Sequence, residues 1–262
     1  MAPNPDLTSF EALSFDCFGT IIDEDAGMLR TLDLLVAQKE VSEKKDSRAL
    51  LDRLHALIFE IEHKMPALAY NEVLVGAIMR LAKENDMPIT DGLAEPFGNS
   101  AGTWLPFPDS IDALSRLKKY YPTFAILSNI DNNSIKATVE QRLAPIKFEG
   151  LYTAQDIGSY KPSVRNFEYL AGHMRKEFNL DCDRGQVLHV AHSVVADHVP
   201  CKQLGRRSVW ISRGEDEKKC VDKVGGKDKV GYEWRFQTLG DFAGEVERQF
   251  KQKEISAQRP SS

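Results

Sequence analysis

Short apolar runs that end in polar residues recur along the chain and predict the strands of a buried sheet. They are ALSFD (residues 12–16), TFAILSN (123–129), QVLHVAHS (186–193) and RRSVWIS (207–213). Runs of this length are typical of strands that are covered on both faces. Between them, residues 109–121 and 164–178 carry apolar side chains at helical spacing. This alternation predicts an α/β core with a doubly wound parallel sheet, in which ligands bind at the carboxyl ends of the strands.

Residues 26–104 break this alternation with patterns that look helical throughout. Residues 48–65 and 71–85 each place leucine, isoleucine and valine at helical spacing, and no convincing strand pattern stands near them. We therefore predict a helical cap at residues 26–104, inserted in a Rossmann-like core formed by residues 1–25 and 105–262.

Three further stretches are expected to be irregular. WLPFPDS (104–110) is the predicted return from the cap, because its prolines cannot continue a helix. The polar stretch at residues 214–231 is expected to be a mobile loop, and residues 252–262 a loose tail.

Composition places the chain among ordinary globular proteins and argues against several function classes. Of 262 residues, 42% are hydrophobic and 28% charged, and the net charge of −5 comes from interspersed acids and bases. No basic face for nucleic acid is therefore expected, and no apolar run is long enough to span a bilayer. The opening residues lack the pattern of a secretory signal, and four cysteines without CxxC spacing fit a reducing compartment. We expect a cytoplasmic protein without nucleic-acid or membrane partners, in which a cap helix could form a homodimer face.

Four motifs follow one another in a fixed order along the chain. FDCFGT contains Asp16, ILSN contains Ser128 and Asn129, SYKPS contains Lys161, and HVAHSVVAD ends in Asp197. This ordered set, which spans residues 10 to about 212, resembles the haloacid dehalogenase (HAD) superfamily. The insertion after the first motif resembles the helical cap of the 2-haloacid dehalogenase branch. The resemblance implies a hydrolase whose nucleophile is Asp16.

The residue types of these motifs suit covalent catalysis. A carboxylate at a strand end can attack carbon or phosphorus and form an ester, which divides one difficult displacement into two steps. Lys161 would supply a positive charge that keeps Asp16 ionised and oriented. Ser128, Asn129 and Thr20 could donate hydrogen bonds to a negative group of the substrate. Taken singly, each of these supporting residues could instead be a cap, a strand end or a solvated lysine.

Phe18 stands two residues after Asp16, where phosphatases of the superfamily carry a second aspartate. That aspartate protonates the departing alkoxide and then activates water, and phenylalanine can do neither. A halide leaves without a proton, and the dehalogenase branch has an aromatic residue at this position. Phe18 is therefore expected to lie in the substrate site and to favour displacement of a group that departs unassisted.

The last motif also departs from the phosphatase pattern, because Ala191 and His192 replace the Gly-Asp pair that would help to hold Mg²⁺. Imidazole is a poor ligand for this ion, so we predict no essential metal and no cofactor. His192 could donate a hydrogen bond, act as a base toward water, or only fill the place of a lost ligand. Asp197 is the nearest match to the aspartate that positions the hydrolytic water in the dehalogenase branch, although the motif is one residue longer here. It could instead cap the following helix.

In the dehalogenase branch, an arginine of the cap binds the substrate carboxylate and receives the halide. Arg53 is the first candidate, followed by Arg48 and Arg30, although Arg53 could equally form a surface ion pair one helical turn away. The leading hypothesis is a metal-independent hydrolase that converts a 2-haloacid, a small organic acid, into a 2-hydroxy acid. The alternatives are a phosphatase with altered motifs and a non-hydrolytic HAD-fold protein with a binding or regulatory role.

Overall fold

A parallel sheet of six strands forms the centre of the protein, whose computed structural model describes residues 6–37 and 46–257. The strands are β1 (Ala12–Phe15), β2 (Thr123–Ser128), β3 (Gly150–Thr153), β4 (Val187–Ala191), β5 (Ser208–Ile211) and β6 (Tyr232–Phe236). Their order across the sheet is β3-β2-β1-β4-β5-β6, and every neighbouring pair is parallel. All residues of β1, β4 and β5 are buried, as the apolar runs predict.

Helices cover both faces of the sheet and form the cap. They are α1 (Glu24–Ala37), α2 (Ser47–Lys64), α3 (Tyr70–Glu84), α4 (Asp91–Gly98), α5 (Ser110–Leu117), α6 (Asn132–Gln141), α7 (Ala154–Ile157), α8 (Val164–Phe178), α9 (Val199–Gln203), α10 (Glu217–Lys223) and α11 (Leu239–Ala257). Alternate residues of β2 point to opposite faces: Phe124 joins the core that includes Leu114 of α5, and Ala125 the core that includes Phe167 of α8. No helix in the described part of the chain is long and apolar enough to cross a bilayer.

The predicted fold class is confirmed, because helices α1 to α4 follow β1 and the chain then returns to the sheet at β2. Within residues 26–37 and 46–104, which the structure describes, the insertion contains no strand. The outgoing and returning segments pair with each other. The Asp23 N–H donates to Leu105 O at 2.9 Å, and the Phe107 N–H donates to Ile21 O at 3.0 Å. The exact boundaries of the cap stay a prediction.

Two expectations of irregular structure are wrong. Residues 214–231 contain α10, because Cys220 and Val221 pack in one apolar cluster with Trp210 of β5. Residues 252–257 continue α11, and residues 258–262 lie outside the described part of the chain. The sequence patterns also miss β3, which has four residues, and β6, whose residues alternate between half-buried and exposed. Short or half-exposed edge strands carry a weak periodic signal.

Gly27 of α1 provides a test of how closely the cap packs on its return segment. A Cβ atom at this position would overlap the indole ring of Trp104, which is itself buried. We predict that Gly27→Ala lowers the free energy of unfolding by about 1–3 kcal/mol, the usual cost of overpacking. In the matched control Gly172→Ala, nothing lies within 4 Å of the added Cβ, so a gain in stability is expected from helix propensity. Urea unfolding of both variants checks this, and a stable Gly27→Ala variant would contradict the close contact.

Candidate active site

Charged side chains from three loops meet at the carboxyl edge of the sheet. Asp16 directly follows β1, Asp197 follows β4, and Lys161 stands in the loop before α8. The Nζ atom of Lys161 lies 2.8 Å from Asp16 Oδ1, 2.7 Å from Asp197 Oδ1 and 3.0 Å from the carbonyl oxygen of Leu127 in β2. An ammonium group has three N–H donors, so all three have acceptors here. Residues 145 positions apart in sequence therefore share one buried ion cluster.

The opposite charges of Lys161 and the two aspartates offset the cost of burying these groups. Lys161 is 2% exposed and Asp197 is fully buried, which by itself would lower the pKa of the lysine and raise that of the aspartate. The two carboxylates outweigh burial and raise the pKa of Lys161 above its ordinary value. The charge of Lys161 and a hydrogen bond from His189 lower the pKa of Asp197 to about 2. Asp197 is therefore an anion at neutral pH.

The turn after β1 holds the second oxygen of Asp16. The Thr20 hydroxyl donates to Asp16 Oδ2 at 2.6 Å and accepts from the His192 N–H at 2.8 Å. The guanidinium of Arg213 donates to Thr20 O at 2.7 and 3.2 Å, and it also donates to Asp109 at 2.6 Å. Because both carboxylate oxygens and the turn itself are held, the orientation of Asp16 is set before any ligand binds.

A cavity of about 200 Å³ separates this cluster from the cap. Its core wall contains six residues that the motifs predict: Asp16, Phe18, Ser128, Asn129, Lys161 and Asp197. Its cap wall comes from α1, α2 and α3 and contains Glu24, His55, Ile58, Phe59, Glu62 and Tyr70. The motif residues are thus brought together on one side, and a set that sequence reasoning did not identify faces them.

Two of the predicted residues contact other parts of the site as well. The ring of Phe18 packs edge-to-face against Trp104, with 5.8 Å between ring centroids, and it lines the cavity beside Asp16. Asn129 clamps the backbone of Lys161, since its Nδ2 donates to Lys161 O at 3.1 Å and its Oδ1 accepts from Lys161 N at 2.7 Å. Asn129 therefore also positions the lysine.

A π-helix at Val194–His198 accommodates the extra residue of the last motif. A π-turn contains more residues than an α-turn and is frequent at functional sites. The hydroxyl of Ser193 caps this turn by accepting from the Ala196 N–H at 3.0 Å. Asp197 consequently reaches Lys161 although the motif is longer, and its carboxylate points to Lys161 and His189 instead of capping α9.

His189 of β4 is a site residue that sequence reasoning misses. Its Nε2–H donates to Asp197 Oδ1 at 2.9 Å, and its Nδ1 accepts from the Ser14 hydroxyl, also at 2.9 Å, because a carboxylate can only accept. The other oxygen, Asp197 Oδ2, is buried and has no hydrogen-bond partner among the described residues. The available signal was a histidine inside an otherwise apolar buried run, since a buried polar group needs a partner.

His192 lies next to the cavity without lining it. Its Nδ1–H donates to the carbonyl oxygen of Ile211 at 2.9 Å, and its Nε2 lies 3.8 Å from Glu215 Oε2. Its backbone N–H, by contrast, supports Thr20. In this arrangement His192 contributes through its main chain to the turn that holds Asp16.

The structure corrects the expectation that Arg53 faces the substrate. Arg53 donates to Glu60 at 3.0 Å and to Glu84 at 2.8 Å, on the side of α2 away from the cavity. His55 of α2 lines the cavity. Arg53 stands two positions earlier, and since an α-helix turns by about 100° per residue, its side chain points about 200° away from that of His55. Arg48 pairs with Asp25 at 3.1 Å with 63% of its side chain exposed, and Arg30 is exposed too. None of these three arginines lines the cavity.

The side chains present do not fit the Mg²⁺ site of phosphatases. Within residues 6–37 and 46–257, no group of three or more histidines, cysteines, aspartates or glutamates is arranged to hold a metal ion. His192 occupies the position of the aspartate that would hold the ion together with the nucleophile, and Asp16 is already hydrogen-bonded to Lys161 and Thr20. His192 directs its Nδ1 to a carbonyl oxygen.

Comparisons with known proteins find a similar fold in several hydrolases. One curated relative, (S)-2-haloacid dehalogenase 4A of Burkholderia cepacia, is 22% identical over 67% of this chain and 74% of its own length. The L-2-haloacid dehalogenase from Xanthobacter autotrophicus has a similar fold, with a TM-score of 0.72 at 15% identity over 91% of this chain and 98% of that chain. The magnesium-bound HAD-hydrolase YfnB from Bacillus subtilis gives a TM-score of 0.67 at 16% identity over 91% and 99%.

A family model decides the assignment, since distant fold likeness shows the fold alone. The model of haloacid dehalogenase-like hydrolases matches residues 10–197. This match runs from the strand before Asp16 to Asp197 and covers most of the chain. The protein therefore belongs to the haloacid dehalogenase-like hydrolase family.

Proposed function

We propose that Asp16 displaces a halide from carbon and forms an aspartyl ester, which water then hydrolyses without a metal ion. The observation that carries this proposal is the placement of Asp16 in the cavity. Its two oxygens are held by Lys161 and Thr20, and Phe18 stands beside it where a proton donor would otherwise be. A held carboxylate is a competent nucleophile toward carbon, and a halide departs without a proton.

Asp197 suits the second step. Its free Oδ2 atom can accept a hydrogen bond from a water molecule, while Lys161 and His189 hold Oδ1. That water attacks Cγ of the ester, the bond from Cγ to the ester oxygen breaks, and the released alkoxide, which carries an original oxygen of Asp16, takes up a proton. The net reaction consumes one water and yields an alcohol, a halide ion and a proton.

The relatives suggest which substrates to examine first. A second structure of the Xanthobacter autotrophicus enzyme, with a TM-score of 0.71, carries covalently bound chloropropionic acid. By analogy, 2-haloacids are the first substrate class to assay, with 2-hydroxy acids as products. The likeness to a magnesium-bound hydrolase keeps a phosphatase as the second candidate, and a non-hydrolytic role is the third. The pairing of Asp16 with Lys161 favours catalysis over the third.

The nucleophile can be identified by isotope transfer. With enzyme in excess over substrate in ¹⁸O water, we predict that the label enters the carboxylate of Asp16 first, because water attacks the aspartyl carbonyl. Peptide mass spectrometry detects it, and a later turnover passes it to the product. Asp16→Asn should keep the fold and lose at least about 1,000-fold in kcat. Asp112→Asn, at an exposed position of α5, is the matched control. Label in the product during the first turnover would exclude the covalent step.

The side chains around Asp16 predict that turnover does not depend on a divalent metal ion. Halide release should change by less than about twofold with a chelator or with added Mg²⁺, because His192 stands where phosphatases carry the metal-binding carboxylate and directs its Nδ1 to a carbonyl oxygen. Phosphate release from phosphate esters, measured in parallel, should stay at background. Activity that disappears with chelator and returns with Mg²⁺ would support the phosphatase instead.

The unpartnered Oδ2 atom of Asp197 predicts that a substitution at this residue slows hydrolysis of the ester. Asp197→Asn keeps the shape but weakens the hold on water, so hydrolysis of the ester should slow by about 100-fold or more. The ester on Asp16 should then accumulate, which intact-mass spectrometry detects after a burst of halide. Thermal unfolding shows whether the variant is folded, since Lys161 loses one anionic partner. A folded variant with unchanged kcat and no accumulated ester would rule out this role.

A further inference from the structure

The wall of the cavity opposite the nucleophile is acidic. Two carboxyl side chains from the cap, Glu24 and Glu62, line it, and no arginine of the described residues does so. The lysine that lines it, Lys161, already bridges Asp16 and Asp197. His55 in the same wall is paired with Asp25 at 2.9 Å. A substrate carboxylate would therefore meet acidic groups on both sides, and the lysine and the histidine of the lining are both already paired with aspartates.

Glu24 is held over the catalytic turn. The hydroxyl of Tyr70 in α3 donates to its Oε1 at 2.8 Å, and its Oε2 lies 3.7 Å from the point where a Cβ of Gly19 would stand. Burial raises the pKa of Glu24, although the neighbouring His55 and the hydrogen bond from Tyr70 act in the opposite direction. One oxygen is thus fixed by the cap while the other faces the turn that contains the nucleophile.

Glu62 is buried without an ionic partner. It is 8% exposed, no cation of the described residues pairs with it, and its hydrogen bond from Asn129 Nδ2 is 3.5 Å long, the outer limit for such a contact. Burial raises its pKa well above the ordinary value, with a further contribution from Glu24. Its geometry is what points to a ligand, because the long contact from Asn129 leaves its buried oxygens without a strong donor that a ligand could supply.

A second cavity, of about 460 Å³, adjoins the first at Glu62. The two cavities share Phe59, Glu62 and Lys161, and the second is further lined by Pro66 and Tyr160. Its volume falls in the range of ordinary small-molecule sites, whereas the first cavity alone is smaller. A substrate with an apolar body could occupy it and place its polar end at Glu62.

We infer that the substrate presents an N–H or O–H donor group to Glu24 and Glu62, in place of a carboxylate, and places an apolar body in the second cavity. The inference rests on the proposed function only for the end of the substrate that reacts with Asp16. Recognition of the donor group can be measured without turnover.

Three ligands that share one apolar tail and carry no leaving group test this recognition: 4-phenylbutanamide, 4-phenylbutylammonium and 4-phenylbutyrate. Calorimetry with the whole chain at pH 7.5 should show that the amide, the ammonium or both bind at least about tenfold more tightly than the carboxylate. Tighter binding of the ammonium indicates ionised glutamates, and tighter binding of the amide indicates a neutral donor as the natural group.

Glu62→Gln removes the charge with little change in shape, and it adds an N–H donor that a carboxylate can use. The preference over the carboxylate should fall by about fivefold or more in this variant and stay unchanged in Glu168→Gln, an exposed position on α8. Equal or tighter binding of the carboxylate to the unmodified chain would overturn the inference. So would the same preference in both variants, or no binding of any ligand up to about 10 mM.

Halide release separates this inference from the proposed function. Chloroacetamide and chloroacetate have nearly the same shape, and the amide should have the higher kcat/KM, with a smaller advantage in Glu62→Gln. If neither compound reacts while the ligand preference holds, the proposed displacement fails and the recognition of a donor stands. If both react equally and the ligands bind equally, the displacement stands and the inference fails.

Discussion

The position of the Lys161 ammonium between Asp16 and Asp197 is the constraint on which the site depends. A buried charge is stable only when it is paired and hydrogen-bonded, and each of these three groups satisfies that condition through the others. The loops after β1 and β4 and the loop before α8 are therefore held in one relative arrangement. Because the same ammonium also donates to Leu127 O, the end of β2 is part of this arrangement. Asp16, the proposed nucleophile, and Asp197, the proposed binding site for water, are consequently positioned by one interaction.

A second layer of contacts keeps that arrangement rigid. Thr20 supports Asp16, Arg213 and Asp109 hold the turn that carries Thr20, and His189 orients Asp197. Thr20 and Arg213 follow β1 and β5, His189 lies within β4, and Asp109 directly precedes α5. All of these residues lie outside the helices α1 to α4 that form the cap.

The core could be predicted from the sequence and the cap wall could not, for a physical reason. Parallel strands bring their carboxyl ends to one edge, so polar residues such as Asp16 and Ser128 after apolar runs predict a shared site. Successive residues of a cap helix are rotated by about 100° around the helix axis, so the sequence gives their directions relative to one another. It does not give which of these directions faces the cavity. Arg53 and Glu62 lie on the same helix, yet only Glu62 lines the cavity. β3 and β6 were missed because edge strands are short or half-exposed.

Glu24 joins the two parts of the protein, because it begins α1 directly after the catalytic turn and receives a hydrogen bond from Tyr70 of α3. Its carboxyl group is therefore fixed to the cap at one oxygen and faces the turn at the other. A movement of α3 relative to the core would shift Glu24 and change the distance between the acidic wall and Asp16. In the inferred mode of binding, Glu24 would link the position of the cap to the recognition of the substrate's polar group. The inferred recognition of a donor group thus assigns the choice of the substrate's polar group to Glu24 and Glu62, and the proposed displacement assigns the choice of leaving group to Phe18.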